Sequence, residues 1–396
     1  MTDPKLQADR DTVVRVDVTT GIEGLDTLLH GLIQGDNVVW VGDREDVLTA
    51  VEDAYLRRAL ESGRPCSYVT ARTAPAELRI RFSSLPPGVS IIDARSGQPF
   101  GEPASLEHLM VERARVSPRE TTVVNSLSGF AERWGPQKTL IFFSRTCPQL
   151  FNLGSLAYWR VSRISVGNEF IESIRNVTQC VVEIAGDHVR VIKAEGRPGY
   201  VQGQLARFFF RAGVLHVKPE PVLGRLGRGL ERVRTTHGLT QADLARLAGV
   251  TPSAISQAET GHRGLSLETL VALSEALPVS LDELMNARPT DYLVSRCDRV
   301  GTSGPTVVLL DDPSTGVRAT LVRLGPFESG GPDSKGGAAR AVGLILVASG
   351  LIQAEVGGDS PLLRAPDALL SSSTPIRAWR NLLREQASLV WVTHKR

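Results

Sequence analysis

The sequence predicts a multidomain protein in which an α/β domain with a parallel sheet is followed by an all-α domain and an all-β domain. Residues 12 to about 217 alternate short apolar runs with longer helix-compatible stretches, which is typical of buried parallel strands joined by helices. From about 225 to 288 the apolar positions recur at helical spacing only. Beyond residue 291, short β-rich runs alternate with glycines, which indicates a small antiparallel sandwich or barrel.

These patterns also suggest where the domains begin and end. We predict an α/β domain at 1–217, a Pro-containing linker at 218–227, a five-helix domain at 228–288 and a β domain at 292–396. The predicted strands of the α/β domain include the runs NVVWVG, CSYVT, VSIIDA, TTVVNS, TLIFFS, QCVVEIAG and HVRVIKA. A chain of 396 residues is long enough for two to four domains with their own cores.

The composition is that of an ordinary globular protein, with 42% hydrophobic and 22% charged residues. Because the formal net charge is only +2, affinity for nucleic acid would have to come from local basic patches. The N-terminal residues contain no apolar signal core, and the most apolar run, at 342–352, is too short to span a bilayer. We therefore expect a cytoplasmic protein with no membrane partner.

The cysteines argue against a disulfide framework or a zinc site. The four are Cys66, Cys147, Cys180 and Cys297. They are widely separated and form no C-x-x-C pair, so reduced thiols are the expectation. We expect neither a metal nor a cofactor in this protein.

The first half of the chain resembles the KaiC/RecA-like ATPase family in the order of its segments. TTGIEGLDTLLHGLIQGDNVVWVG is similar to the opening of that domain, where T-G-I-x-G-L-D-x-L-L precedes the first core strand. SGRPCSYVT is similar to the family's second strand, TTVVNSLS to its Walker B strand, and QCVVEIAGDHVRVIKAEGRP to its terminal hairpin. The resemblance implies a RecA-like parallel sheet with a nucleotide-binding loop after the first strand.

The loop itself departs from that family. A working P-loop needs glycines whose N–H groups surround the phosphates, a lysine, and a Ser or Thr for Mg²⁺. Gly42 and Thr49 match this pattern, but Val47 and Leu48 stand where the last glycine and the lysine belong. The carboxylates that would repel a triphosphate at short range are Asp43, Glu45 and Asp46.

Two further positions of the ATPase family are also changed. Asn125 stands in place of the Walker B acid, and Ala71 and Arg72 stand in place of the acidic pair after the second strand. A neutral amide binds Mg²⁺ poorly. We therefore expect a degenerate site that does not hydrolyse ATP. Such a domain could be a scaffold for oligomerisation or packing, or a sensor that binds another ligand or a nucleotide without turning it over.

The all-α region predicts five short helices around a small core. Thr240 is placed to cap the second helix, with Asp243 three residues later. Gly249 suits the left-handed turn that closes this helix. Ser280 and Glu283 form a second capping pair at the last helix.

The segment LTQADLARLAGVTPSAISQAETG is similar to the Cro/repressor-type (XRE) helix-turn-helix family at nearly every defined position of its pattern L-T-Q-x-x-L-A-x-x-A-G-V-[ST]-x-x-x-I-S-x-x-E-x-G. The resemblance implies that the third helix, at about 252–259, enters the major groove of double-stranded DNA. It also implies a homodimer or higher homo-oligomer on a roughly palindromic site. The positions that match the family's DNA-contacting residues are Gln241, Thr251, Ser253, Ser256, Gln257, His262 and Arg263.

The resemblance gives these side chains different roles. Ser253, Ser256 and Gln257 would meet base edges, with Thr251 at the entrance of the groove. Gln241 would contact a phosphate and brace the recognition helix. The side chains implied as phosphate contacts after that helix are His262 and Arg263, whereas Glu259 is implied to be structural.

Charge supports DNA binding only in part. Residues 201–234 hold seven basic and two acidic residues, whereas residues 235–290 hold three basic and six acidic residues. The linker and the first helix could therefore supply phosphate affinity that the recognition half lacks. The alternative to DNA binding is that these arginines simply form a solvent-exposed face.

The last region resembles the cupin barrels. VGLILVASGLIQAEVGGDSPLLRAPDALLSSSTPIRAWRNLLREQASLVWV is similar to the strand, glycine turn and strand of that family. Cupin enzymes bind metal through His-x-His, a Glu and a later His. The stretch GPFESGGPDSKGGAARA has no histidine, and Arg377 stands near the place of the later ligand. We therefore expect a metal-free, cupin-like domain with an effector pocket or a dimerisation surface.

Three functions compete. The first is a sequence-specific DNA-binding transcriptional regulator, whose flanking domains serve oligomerisation or the sensing of a small-molecule effector. The second is a divergent KaiC/RecA-like ATPase with a DNA-targeting module, which predicts nucleotide turnover. The third is an adaptor that does not bind DNA, which predicts no salt-sensitive DNA affinity. The sequence favours the first.

Overall fold

The computed structural model describes residues 18–198, 201–284, 293–296, 304–312, 315–332, 342–371 and 374–394. The chain forms two compact units, Met1–Val294 and Ser295–Arg396. Three of the four cysteines are described, and they are free and buried. The fourth, Cys297, lies outside the described residues, as do residues 1–17 and 285–288.

A twisted sheet of nine described strands organises the first unit. Its order is β3-β2-β4-β5-β1-β6-β7-β8-β9, with parallel pairing from β3 to β6 and antiparallel pairing from β6 to β9. The strands are β1 (Asn37–Val41), β2 (Cys66–Thr70), β3 (Val89–Asp93), β4 (Thr121–Val124), β5 (Leu156–Val161), β6 (Cys180–Ala185), β7 (His188–Ala194), β8 (Leu205–Arg211) and β9 (Val214–Pro219).

Helices cover both faces of the parallel part of the sheet. They are α1 (Glu23–Leu29), α2 (Glu45–Glu61), α3 (Pro75–Arg81), α4 (Pro103–Val116), α5 (Leu127–Trp134), α6 (Pro136–Leu153) and α7 (Arg163–Val177). Alternate residues of β1 enter opposite cores, Val38 and Trp40 on one side and Val39 and Val41 on the other. Burial on both faces explains why these strands have no polar alternation. The predicted parallel-sheet α/β architecture is confirmed.

One predicted strand is wrong. The run TLIFFS lies within α6, and the strand that pairs between β4 and β1 is β5, which follows that helix. The buried positions of α6 recur at helical spacing, and they are Thr139, Phe142, Phe143, Thr146, Cys147 and Leu150. A short apolar run fits either a strand or a buried helix face. Here the spacing of the buried residues over the whole segment is that of a helix.

The segment predicted as a linker, 218–227, is mostly regular structure. Strands β8 and β9 form a hairpin that ends at Pro219, and helix α8 (Val222–Thr236) begins three residues later. Proline is tolerated both at the end of an edge strand and immediately before a helix. The hairpin predicted from QCVVEIAGDHVRVIKAEGRP is present as β6–β7, but it is not terminal, because β8 and β9 extend the same sheet.

Five helices follow in the described residues up to 284, as predicted. They are α8, α9 (Gln241–Ala248), α10 (Pro252–Glu259), α11 (Leu267–Ala276) and α12 (Leu281–Leu284). Thr240 and Asp243 form a capping box at α9, and Gly249 closes that helix with φ 66°. The side chain of Glu283, the second member of the pair predicted at α12, lies outside the described residues.

The second unit consists of antiparallel strands. Those described are β10 (Thr306–Asp312), β11 (Val317–Leu324), β12 (Ser329–Gly330), β13 (Val342–Ser349), β14 (Leu351–Val356), β15 (Leu362–Arg364), β16 (Ala368–Ser371), β17 (Ile376–Asn381) and β18 (Ala387–His394). They form two sheets, β10-β11-β18-β13-β16 and β12-β17-β14-β15. Ile345 and Leu389 of the first sheet share a core with Ile352 and Trp379 of the second. This is the predicted antiparallel sandwich or barrel, and its cupin-like identity stays a prediction. In the part of the chain that is described, no helix is long and apolar enough to cross a membrane.

Candidate nucleic-acid interface and the loop after the first strand

Helix α10 has one polar face and one buried face. Ile255 and Ala258 are buried in the core of the helical module, and Ala254 is also buried. Ser253 and Gln257, four residues apart, are both exposed on the opposite side, where they are neighbours on the helix surface. The helix therefore presents a short polar strip to solvent.

The start of α10 is fixed by its own cap. The hydroxyl oxygen of Thr251 accepts a hydrogen bond from the Ala254 N–H at 3.2 Å, and Pro252 occupies the first helical position. An N-terminal cap of this type satisfies a backbone donor that has no partner within the helix. Thr251 thus sets where the helix begins, and Ser256 lies half-buried one turn further on. The bounds of α10 agree with the predicted helix at 252–259.

A buried acid joins α10 to the two helices before it. Glu259 accepts hydrogen bonds from Arg234 Nε at 2.6 Å and from Gln241 Nε2 at 2.7 Å. Its side chain is only 6% exposed. Arg234 lies on α8 and Gln241 is the first residue of α9, so one carboxylate ties three helices together. This geometry agrees with the structural role predicted for Glu259, and the hydrogen bonds to Arg234 raise the pKa of that arginine.

The turn after α10 is anchored to the helix end. The backbone N–H groups of His262 and Arg263 both donate to the Gln257 carbonyl, at 2.9 and 3.2 Å. The His262 ring nitrogen Nδ1 lies 2.9 Å from the Thr260 hydroxyl. Both side chains are exposed. The structure therefore brings these predicted phosphate contacts to the C-terminal end of the polar strip.

The basic cluster predicted at 201–234 is partly neutralised. Three of its seven members have acidic partners, namely Arg207 with Asp187, Arg228 with Glu220, and Arg234 with Glu259. Two others, on the β8–β9 hairpin, are exposed, and they are Arg211 and Lys218. Less of the local positive charge is therefore available for phosphate contacts than the residue count indicates.

The loop after β1 is short. Strand β1 ends at Val41 and α2 begins at Glu45, so only Gly42, Asp43 and Arg44 separate them. A Cβ at Gly42 would lie 3.0 Å from the Ile184 carbonyl of β6, so close packing of two strands explains this glycine. Thr49, the matching hydroxyl, is half-buried in the second turn of α2.

The residues at the positions of the last P-loop glycine and the lysine point into the core. Val47 is 0% and Leu48 2% exposed. The cavity beside Leu48 has a volume of about 10 Å³ and is lined by Trp40, Glu52 and Tyr158 among others. This space holds about one water molecule. These residues do not fit a triphosphate.

Each carboxylate of the loop is engaged with a side chain of the protein. Asp46 receives two hydrogen bonds from Arg44, at 2.9 and 2.7 Å, and these hold the pKa of Asp46 below its usual value. Glu45 forms an ion pair with Arg160. The Asp43 carboxylate accepts a hydrogen bond from the Ser162 hydroxyl.

A polar network occupies the region around Asn125. The Asn125 amide donates to the Tyr68 hydroxyl at 2.8 Å, and that hydroxyl donates to Glu52 Oε2 at 2.9 Å. Arg81 donates to Glu52 and Tyr68, at 2.9 Å each. Burial raises the pKa of Glu52. Glu52 was not among the predicted site residues, although it stands one turn after Leu48 on the apolar face of α2, where an acid needs a partner.

The remaining predicted positions are dispersed. Ala71 is buried and Arg72 is paired with Glu132 at the end of β2. Arg377 is exposed on β17. Across the described residues, no group of three His, Cys, Asp or Glu side chains could hold a metal ion. Part of the stretch predicted to lack cupin ligands, residues 333–341, lies outside them.

Comparison with known proteins gives one family match. Residues 230–284 match the HTH_3 family, described as helix-turn-helix. Curated proteins gave no match. A KaiC-like protein from the hyperthermophilic archaeon Pyrococcus horikoshii OT3 shares 16% identity over 51% of this chain and 98% of its own, with a TM-score of 0.42. An HTH_3 family transcriptional regulator from Vibrio cholerae shares 16% identity over 44% of this chain and 97% of its own, with a TM-score of 0.20. Residues 230–284 thus form a helix-turn-helix domain of this family.

Proposed function

We propose that the protein is a sequence-specific DNA-binding transcriptional regulator that reads the major groove of double-stranded DNA through α10. The observation that carries this proposal is the exposed strip of Ser253 and Gln257 on a helix whose other face is fixed in the core. The helix-turn-helix family match over 230–284 supports it.

The chemistry of the strip suits base edges. The Gln257 amide presents a donor and an acceptor together, as required for a bidentate pair with adenine N6 and N7. Such a pair contributes about 1–3 kcal/mol of discrimination against the wrong base. Ser253 and the half-buried Ser256 carry hydroxyl groups, which accept or donate and so meet several bases.

Phosphate contacts would position the strip. His262 and Arg263 lie just beyond α10, and the Gln241 amide is held at the start of α9 by Glu259. Side chains and N–H groups at helix starts are common phosphate contacts in protein–DNA complexes. We propose that these three residues set the position of the protein along the duplex, and that α10 reads the base sequence.

A homodimer on a roughly palindromic site follows from the length of α10. An eight-residue helix contacts only a few base pairs, so specific sites normally require two half-sites on opposite halves of a two-fold axis. We propose that one or both flanking domains hold the two copies together or sense an effector, and so bias the spacing of the reading heads.

We propose further that the α/β domain does not turn over nucleotide. Support comes from the loop after β1, where the lysine position is the buried Leu48 and the Walker B position is Asn125, which is hydrogen-bonded to Tyr68. A divergent ATPase would need space and positive charge at this loop. The loop instead carries three carboxylates, and the only space beside Leu48 that is described is a core cavity of about 10 Å³.

The test is selection of random duplex DNA by the purified full-length protein at low salt. The variant Ser253→Ala/Gln257→Ala should lose the enriched motif, since it removes the polar groups of the strip and leaves the core of α10 unchanged. Thr236→Ala, at the exposed end of α8, is the matched control and should keep the motif. A motif retained by the double variant would refute reading by α10. No motif at low salt, with and without metabolite extracts, would favour the adaptor instead.

A further inference from the structure

A cleft lies between the sheet of the α/β domain and the first helix of the helix-turn-helix module. Its volume is about 380 Å³. Strand β7 contributes Arg190 on one wall, the following loop contributes Gln202 and Gly203, and α8 forms the other wall. This volume lies within the range of pockets that bind small molecules, about 300–1,000 Å³.

The wall formed by α8 is a single face of that helix. The residues that line the cleft are Arg228, Glu231, Arg232 and Thr235. Their spacing of three and four residues places them side by side on one face. The face therefore presents a continuous polar surface toward the sheet.

The other face of α8 contacts the recognition helix. Leu230 is fully buried in the core of the module. A Cβ at Gly227 would lie 2.4 Å from the Glu259 carbonyl oxygen at the end of α10, so the two helices pack backbone to backbone there. Arg234 of α8 also binds the Glu259 carboxylate. Helix α8 thus connects the cleft directly to the helix that presents Ser253 and Gln257.

The cleft favours an anion. Three arginines line it, against the single acid Glu231. Glu220 is paired with Nη1 of Arg228, and the Arg228 side chain keeps 28% of its surface exposed. Arginine is the side chain best suited to bind a carboxylate or phosphate with two parallel hydrogen bonds.

We propose that this cleft binds a small molecule bearing phosphate or carboxylate groups, held between Arg190 of the sheet and Arg228 of α8. The cleft is a concave site between two walls of one folded unit, which suits a small ligand better than the convex backbone of a duplex. Occupancy would link the two walls through the ligand. The position of α8, and with it that of α10, would then depend on the ligand.

A regulatory consequence rests on the proposed function. If α10 reads DNA, a ligand that fixes α8 against the sheet selects one orientation of the reading heads and changes DNA affinity. Linkage requires the reverse as well, so operator DNA must change the affinity for the anion by the same factor. The anion can nevertheless bind in the absence of DNA, so the cleft is tested separately from the proposed function.

The experiment is calorimetric titration of the full-length protein with two probes, inorganic pyrophosphate and citrate, at matched ionic strength and without DNA. Tighter binding of one probe would distinguish a phosphate ligand from a carboxylate ligand. The variants Arg190→Gln and Arg228→Gln remove one arginine from each wall, and each should weaken binding about tenfold or more. Arg79→Gln, an exposed arginine on α3 outside the cleft lining, is the charge-matched control and should bind like wild type.

The outcomes separate the possibilities. Arg228→Gln removes the partner of Glu220 and could destabilise α8, so the exposed Arg190 gives the decisive variant. No binding of either probe, or equal binding by Arg190→Gln and wild type, overturns the proposal. If both variants lose DNA affinity but neither probe binds, the arginines serve DNA phosphates instead. If the protein binds an anion but no DNA, the proposed anion site stands and the proposed function as a regulator is refuted.

Discussion

Gln241 and Glu259 are joined by a hydrogen bond of 2.7 Å between the Gln241 Nε2 and a Glu259 carboxylate oxygen. The first residue belongs to α9 and the second ends α10, so this bond spans the turn of the helix-turn-helix. Arg234 of α8 neutralises the same carboxylate. A buried charge with several partners fixes a geometry more narrowly than apolar contacts alone, which suits a helix that must present side chains at defined positions.

Glu259→Ala should loosen α10 while leaving its polar strip intact. The change leaves the Arg234 guanidinium, 17% exposed, without its carboxylate, and lost charge-assisted hydrogen bonds cost about 2 kcal/mol. Amide hydrogen exchange of α10 in the full chain should therefore accelerate about thirtyfold. Glu275→Ala, an exposed acid on α11, is the matched control. Equal protection of α10 in both variants would contradict the bracing role.

Gly227→Ala should destabilise the contact of α8 with α10. Alanine normally stabilises a helix by about 1 kcal/mol over glycine, but here the added Cβ would meet backbone carbonyl oxygens at 2.4 and 2.6 Å. Overpacking against a backbone costs about 1–3 kcal/mol, so the two helices must separate. At Gly224 the added Cβ meets a side chain, that of Glu220, and no backbone carbonyl. Hydrogen exchange of α10 should therefore be faster in Gly227→Ala than in Gly224→Ala.

The capping box makes the stability of α9 depend on pH. Hydrogen bonds from the Thr240 hydroxyl and N–H hold the pKa of Asp243 below its usual value. A lowered folded-state pKa contributes stability that is complete above the unfolded value, about 3.9, and is lost as the pH falls through the folded value. In Asp243→Asn, the amides of α9 should therefore exchange faster than in wild type at pH 7. The difference in hydrogen exchange should vanish at acid pH. A difference that persists below the folded pKa would contradict this assignment.

The sequence predicts some elements well because local and tertiary signals agree. Thr240, Asp243 and Gly249 mark both ends of α9 by their own backbone chemistry, and the structure places both ends there. The parallel strands are short apolar runs buried on both faces, and such runs stand out between polar helices. The helix α6 was mistaken for a strand in part, since an apolar run of six residues does not reveal its period.

Other elements depend on contacts that no local pattern shows. Three glycines at the start of α8 favour a linker by propensity, but Gly227 is required by the close approach of α10. The β8–β9 hairpin turns through Ala212 and Gly213, both with positive φ, and Ala gives a weaker turn signal than Asn. The partners of the predicted site residues, such as Arg234 for Glu259, lie on other helices and appear only in the fold.

Arg263→Gln should weaken DNA binding without changing the preferred sequence. A phosphate contact carries no base information, so affinity should fall by a similar factor for all duplexes. The slope of log affinity against log salt should become less steep by about 0.9, because one fewer counterion is released. Binding titrations across a salt series measure both quantities, and Arg79→Gln provides the control for lost charge. A loss confined to one base position would instead identify Arg263 as a base reader.

Leu48→Lys should destabilise the protein and should not create an ATP site. The change restores the lysine expected in a P-loop, but Leu48 is 2% exposed in the core beside Trp40 and Tyr158. Burying an unpaired ammonium while losing a packed leucine costs about 3 kcal/mol or more, which lowers the Tm by roughly 10 °C in a domain of this size. Thermal melts with and without Mg-ATP test both parts, with Arg79→Gln again as the surface control. A nucleotide-dependent rise in Tm, in wild type or in the variant, would show that the loop after β1 still accepts a triphosphate, and would return the ATPase to consideration.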